Sequence, residues 1–348
     1  MTGDTAVPRA FGGSGTDDPG QAQKAVSSLA APASPAVVSH LAELVEAGFT
    51  AEPRIWVDPQ GKRRVVRRTM LNPVTPRQRR ALLALTRMVL PEATEALNRW
   101  TPPGMILVPA GPFGMGSTES DYEGPVHEVW VDAFWIDRYP VTNAQWAAFL
   151  KGGGWRRREL WTEAGWEWKE AASPEPDHWD NYRRRRGHPV RGVCWYESLA
   201  YARWAGKALL SEAQWEKAAR GDDERRYPWG DEFDRDKCNT SESGIGDTTP
   251  VGKYSPGGDS PYGAADMAGN VWEWSCSLYA PYPYHAADGR ERLEGAGTRM
   301  MRGGSFRSEF SARSAYRLVD SPYFRDWYCG VRVGVGAASL SPLLVVRP

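Results

Sequence analysis

The sequence predicts an α+β fold with few regular elements and long ordered loops, preceded by a small helix–hairpin–helix module. Three observations carry this. The 348 residues include 36 glycines and 27 prolines, too many for a helical bundle and suited to a turn-rich chain. Of 17 tryptophans, all but Trp56 lie at or beyond Trp100, enough for an aromatic core in that part of the chain. Beyond Gly221 about 80 residues show almost no periodicity yet stay rich in Trp and Tyr. Ordered chain without regular structure needs bound ions or a dense aromatic core to hold it. The length allows one large domain with an accessory region, or two domains. No segment reaches the roughly 18–20 apolar residues that span a bilayer, so membrane insertion is excluded. Cys194, Cys238, Cys276 and Cys329 form no CxxC pair, which argues against a zinc ribbon or disulfide framework.

Residues 1–35, rich in Gly, Ala, Pro, Ser and Asp, read as a disordered tail. Residues 36–100 read as the accessory module. Val37, Leu41, Leu44 and Val45 recur at helical spacing over 36–48, with Gly48 placed to end the helix. RIWVDPQGKRRVVRRTM alternates around DPQG, a hairpin signal. Thr75-Pro76 caps a helix running towards Leu97, which Pro91 kinks or splits. Charge is uneven: the first 100 residues carry a balance of +4 and the remainder −4. Within 53–80 nine basic residues face only Asp58, a stretch that fits either a solvated helix face or contact with an acidic partner or nucleic acid. From Thr101 short strands alternate with turns, in GMILVPAGPFGMG and HEVWVDAFWIDRYPV. Helices follow in TNAQWAAFL, in ESLAYARWAG, and in SEAQWEKAARG, the last capped by Ser211 and stopped at Gly221.

GMILVPAGPFGMGS and the HEVWVDAFWIDRYPVTNAQWAAFL that follows it resemble the opening of the formylglycine-generating-enzyme (sulfatase-modifying factor) family. HPVRGVCWYESLAYARWAGKALLSEAQWEKAARG, YPWGDEF, TTPVGKYSPGGDSPYGAADMAGNVWEW, MRGGSF, RSAYR and GVRV complete the set in family order, over about residues 101–336. The resemblance implies a C-type-lectin-like domain over 101–348, with long ordered loops, and assigns Trp215, Trp229, Trp272 and Trp274 to its motifs.

The family's oxidase chemistry needs two cysteines just after Gly-Gly-Ser to bind copper as thiolates. Here GGSFRSEFSARSAYR offers Ser308 and a residue among Glu309–Arg313, none of them cysteine. A hydroxyl or guanidinium does not replace a soft thiolate. The related sulfoxide synthases hold iron through histidines, but His40, His127, His178, His188 and His285 form no local ligand set. No redox cofactor is therefore expected.

Between RGGSF, RSAYR, Pro322, Arg325 and GVRV the residues are chemically mixed, which resembles the variable region of proteins diversified by a retroelement. The candidate ligand surface begins with Phe306, Arg307, Ser308, Glu309, Phe310 and Ser311. It continues through Tyr316, Leu318, Val319, Asp320, Ser321, Tyr323 and Phe324, and ends with Asp326, Trp327, Tyr328, Cys329 and Val331, within about 302–336. In such proteins an asparagine-rich template is mutagenised at adenines. Randomising the two adenines of AAY yields Phe, Ser, Leu, Val, Asp, Tyr and Cys codons, most of this set; Glu309 and Trp327 need other template codons. Tyr, Trp and Phe give broad contact with few torsions to freeze, and Ser, Asp and Arg give adaptable polar contacts, to a protein or other macromolecular ligand.

The resemblance also implies structural calcium. One site maps onto Asp266 and Glu273 by side chain and Gly269 and Val271 by carbonyl; a second onto Asn239, Thr240 and Ile245, with Ser243 where a carboxylate is expected. The leading expectation is a non-enzymatic, receptor-like binding protein. The alternatives are a metal-dependent oxidase of the family with an altered site, and a structural assembly module. The N-terminal stretch MTGDTAVPRAFGGSGTDDPG has no apolar run, so a cytoplasmic location is expected, with surface display by another route left open.

Overall fold

The computed structural model describes residues 35–47, 54–66, 76–308 and 312–336. The tail expected over 1–35 lies outside them except for Pro35, and so do residues 53 and 67–75 of the basic stretch. Helix α1 (Pro35–Glu46) buries Val38, Ala42 and Val45, one face of a helical repeat. Strands β1 (Arg54–Val57) and β2 (Arg63–Val66) pair antiparallel, from Arg54 opposite Val66 to Val57 opposite Arg63. Asp58 holds their turn: its carboxylate accepts the Gln60 and Lys62 amides at 3.1 and 2.8 Å.

Pro91 splits the next helix rather than kinking it, giving α2 (Pro76–Leu85) and α3 (Pro91–Arg99). Proline donates no amide and clashes with the preceding turn, so it fits the first position of a new helix better than the interior of an old one. These helices form no core of their own. Val38, Leu82, Leu85 and Leu97 share one cluster with Met105, Leu107, Trp135 and Val335 of the following domain.

That domain holds two four-stranded sheets. The first contains β3 (Met105–Val108), β6 (Phe134–Asp137) and β7 (Ala208–Leu209), and the last strand, β12 (Val333–Gly336), inserts between β6 and β7. The second has the order β10-β9-β8-β11, from β8 (Trp272–Leu278), β9 (Arg299–Arg302), β10 (Leu318–Asp320) and β11 (Cys329–Val331). β11 runs parallel to β8 while the other pairs are antiparallel, so β10 and β11 are the two edges. A separate hairpin joins β4 (Gly111–Met115) to β5 (His127–Val131).

Helix α4 (Asn143–Lys151) starts at a Thr142–Gln145 capping box, α7 (Trp195–Trp204) at Cys194, and α8 (Glu212–Arg220) at a Ser211–Gln214 box. Gly221 ends α8 at φ 78°, a conformation that favours glycine. Two short helices absent from the sequence reading, α5 (Glu163–Glu170) and α6 (Trp179–Tyr182), occupy the connection between α4 and α7. The aromatic core is built where these meet: Trp146 stacks on Tyr201 at 5.3 Å and touches Phe149 at 5.2 Å. Trp155 and Trp161 add an edge-on pair at 5.0 Å. Among the described residues no helix is long and apolar enough to cross a membrane.

Candidate ligand-binding surface

The C-terminal segment is fastened by arginines, and every fixed sequence element except Pro322 supplies at least one. Arg302, fully buried in β9, donates to Glu212 at 2.9 Å, Glu216 at 2.5 Å and the Ser314 carbonyl at 2.7 Å. Arg317 reaches the same Glu212 twice, at 2.7 and 3.0 Å, with its guanidinium 3.9 Å from the centre of the Tyr282 ring. Burial raises the Glu212 carboxyl, but Arg302 and Arg317 outweigh it and hold that group below the ordinary carboxylate range. Arg325 grips Glu197 of α7 at 2.8 and 2.6 Å and lies 4.9 Å from the Trp168 ring. Arg332 binds Glu273 through three contacts of 2.8–3.1 Å. Buried guanidiniums require such partners, because an unpaired charge in the interior is too costly to keep. Gly303, beside Arg302, sits at φ 99° with the Trp215 ring 2.9 Å from where a Cβ would stand, so only glycine lets β9 approach α8 this closely.

Between these anchors several side chains reach the surface. Tyr323 is 60% exposed and Trp327 37%. Arg307 is exposed, and its guanidinium stands 4.6 Å from the Trp327 ring, with Arg191 at 5.9 Å from the same ring. Leu318, Val319, Asp320, Ser321 and Asp326 are half-buried. Asp320 and Asp326 accept the backbone amides of Ser321 and Trp327 at 2.7 and 2.6 Å, which stiffens the turns they occupy. Tyr316, Phe324 and Tyr328 are half-buried against the aromatic core, with Tyr316 5.8 Å from Trp272. Backbone bonds from Trp195 to the Pro322 carbonyl and from Gly192 to that of Asp326, both 3.1 Å, seat the loop on the domain.

The sequence reading drew this surface too wide. Phe306, Cys329 and Val331 are buried: Phe306 lies under Trp327 with their rings 5.4 Å apart, and both β11 residues face the core. Ser308 is buried as well, its hydroxyl accepting the Ser305 amide at 2.8 Å. Glu309, Phe310 and Ser311 lie outside the described residues.

Several of the side chains expected to hold metals already have protein partners. Glu273, placed in the first calcium site, spends both oxygens on Arg332 and Trp215, the latter at 2.7 Å. Asp266 accepts the Gly252 amide at 2.6 Å, and burial pushes its carboxyl up to about 6. At the second site Asn239 donates to the Asp247 carbonyl and to Asn270 and accepts from Ser243, and its backbone bridges to Gly269, so amide contacts join the two loops that carry the expected donors. Ile245 is exposed, and the nearby Asp247 carboxylate is held by Arg185 and Arg191 at 2.5 and 2.6 Å. Asn270, which the sequence reading missed, is the crosslink: its side chain also accepts the Thr249 amide at 3.0 Å.

The residues near the expected copper position also have protein partners or are buried. Arg313, at the end of the stretch where the second thiolate would fall, donates to Glu123 at 2.5 Å. All four cysteines are buried; burial pushes the Cys238 thiol up to about 12 and those of Cys194, Cys276 and Cys329 well above their usual value. His127 uses both ring nitrogens on the backbone of Pro125 and Tyr284, each at 2.7 Å. His188 pairs with Thr248 at 3.0 Å. Among the described residues no three His, Cys, Asp or Glu side chains gather as a ligand set.

The fold and its arginine-held surface define a C-type-lectin-like domain of the formylglycine-generating type. The sulfatase-modifying factor enzyme 1-like domain model matches residues 91–336, and the chain belongs to that family. The match begins at α3, whose Leu97 is part of the core shared with the domain. A hercynine oxygenase of Mycolicibacterium thermoresistibile is 40% identical over 237 residues, covering 61% of this chain and 53% of that protein. The chain thus spans about half the length of that curated relative. A formylglycine-generating enzyme of Thermomonospora curvata is 36% identical over 266 residues, covering 62% of this chain and 86% of that one. Among solved structures, Treponema denticola variable protein 1 aligns at a TM-score of 0.50 and 20% identity, covering 66% of this chain and 94% of that one, a likeness of fold.

Proposed function

We propose that this protein is a receptor-like binder without oxidase activity, whose C-terminal surface is diversified by a retroelement. One observation carries the reading: the arginine side chains of the fixed elements are at most 10% exposed and paired, while most of the described, chemically mixed residues between them, Ser308 and Cys329 excepted, are wholly or partly exposed. A surface that must tolerate sequence change needs a scaffold whose stability does not depend on the changing residues, and the clamps supply one. The fold shared with a protein named as variable is in keeping with this. The ligand-contacting set is Arg307, Leu318–Ser321, Tyr323, Phe324 and Asp326–Tyr328, with Tyr316 at its edge.

The test is genetic. A near-copy of the 3′ coding end, close to a reverse-transcriptase gene and differing from it at adenines within the codons of this set, is the expected finding. Differences spread evenly over all four bases, or confined to the clamp codons, would overturn the reading. A second reading draws on the 36–40% identity to enzymes named hercynine oxygenase and formylglycine-generating enzyme: a metal-dependent oxidase with a rebuilt site. Stoichiometric copper or iron in the purified full chain, lost on replacing Cys329 or a histidine, would favour it.

A further inference from the structure

A pocket of about 320 Å³ opens beside the edge strand β10, between the 120–123 loop and residues 316–319. It joins two kinds of wall. Leu318 and Val319 belong to the candidate variable set, whereas Tyr122 and Arg317 belong to the scaffold. Tyr122 stacks on Tyr279 with ring centres 5.4 Å apart and planes 12° from parallel, and both phenols are about 40% exposed. The loop carrying Tyr122 is pinned at each end: the Ser117 amide binds the Glu123 carbonyl at 3.0 Å and the Glu123 amide the Ser120 carbonyl at 2.9 Å.

Every charged group at this pocket is already spent. Arg317 is committed to Glu212, and the Glu123 carboxylate receives both Arg313 and the Ser117 hydroxyl, the latter at 2.6 Å. Burial and the neighbouring Tyr279 phenol push the Tyr122 hydroxyl up to about 12, so it stays neutral. What the pocket offers is aromatic and aliphatic surface with a rim of neutral hydroxyls. Among the described lining residues a sugar would find no uncommitted carboxylate or guanidinium to pair with its vicinal hydroxyls, and an ion no counter-charge. A volume near the small end of ligand sites suits one inserted side chain.

We propose that this pocket receives an apolar or aromatic side chain of a protein ligand, with the diversified residues selecting its shape. The inference rests on the binding reading above and names the partner class for the same surface. It matches the anatomy of interface hot spots, a central anchor in a pocket ringed by residues that exclude water. Leu318 and Val319 vary one wall while Tyr122, braced by Tyr279, and Arg317 keep the rest constant, so diversification retunes the anchor without removing it.

The experiment titrates the full chain with N-acetyl-L-phenylalaninamide, N-acetyl-L-glutaminamide and methyl β-D-glucopyranoside, followed by ligand-observed NMR. The phenylalanine amide is expected to bind with a dissociation constant on the order of 1 mM, about fivefold or more tighter than the other two. Val319→Trp, which fills the pocket, should weaken it by about fivefold or more. Ser120→Trp, from the opposite wall, does the same if Val319→Trp fails to fold. Equal binding of the three probes, no binding of the phenylalanine amide, or binding indifferent to the filling substitution would each overturn the pocket. None of these outcomes touches the adenine comparison, which decides the binding reading separately.

Discussion

Two parts of this domain are rich in aromatic residues and use them in opposite ways. Around α4 and α7, Trp146, Phe149 and Tyr201 are buried and in mutual ring contact, with Trp195 in the same buried cluster, so the rings themselves are the structure. Along 316–328, Tyr323 and Trp327 are exposed and the loop is held by Arg317 and Arg325 reaching into carboxylates beneath it. In the first region a ring cannot change without leaving a cavity. In the second, the anchoring chemistry sits on different residues from the surface chemistry, so the surface is free to change.

Arg302→Met tests that separation most severely. It removes the central cation from Glu212 and Glu216 and should cost about 3–5 kcal/mol in denaturant unfolding. A cost under about 1 kcal/mol would show that the clamps are not what holds the segment. Glu197→Ala comes next. It releases Arg325 and also the Cys194 amide that Glu197 accepts at 2.8 Å. About 2–3 kcal/mol is expected, with faster amide exchange concentrated in 321–329; uniform exchange across the domain would count against a local clamp.

Lys217 sharpens the contrast from the other side. It is buried in α8, and its amine is held by the Pro109 and Gly111 carbonyls at 2.9 and 2.8 Å instead of by a carboxylate. Burial lowers its pKa to about 8. The unfolded chain then binds more protons than the folded one above that value, so stability should rise with pH from about 8 to 9.5, by on the order of 1 kcal/mol. Lys217→Met should flatten this rise in unfolding curves taken across that range. The smallest effect belongs to the exposed rings. Trp327→Ala or Tyr323→Ala should change stability by about 0.5 kcal/mol or less while weakening ligand binding. A melting temperature that falls as far as for Glu197→Ala would place those rings in the scaffold.

Much of the scaffold was legible in the chain. Thr142, Ser211 and Gly221 mark helix ends by local chemistry, and Pro91 marks the break between α2 and α3, because caps and prolines act within one turn. Helices α5 and α6 were not legible, since α5 buries little of itself and α6 is a single turn. The fixed elements were visible as a pattern, but not their work. Arg302 and Glu212 are 90 positions apart, and no local spacing announces such a pair. The same distance effect hides the partner of Glu273: Arg332, with which it pairs, lies 59 positions later. Phe306, Cys329 and Val331 were misread as surface because segments this short show no periodicity from which burial can be inferred.

The sequence alone determined the family, the class of fold, the helix boundaries set by caps, and the lack of the thiolate pair that copper chemistry needs. Each follows from residue identity or from spacings of a few positions. Tertiary structure decided which of the C-terminal residues are anchors and which are surface, and that the Glu273 and Asp247 carboxylates pair with arginines. Burial and charge pairing are properties of neighbours in space, and in this fold the decisive neighbours lie tens to hundreds of residues apart.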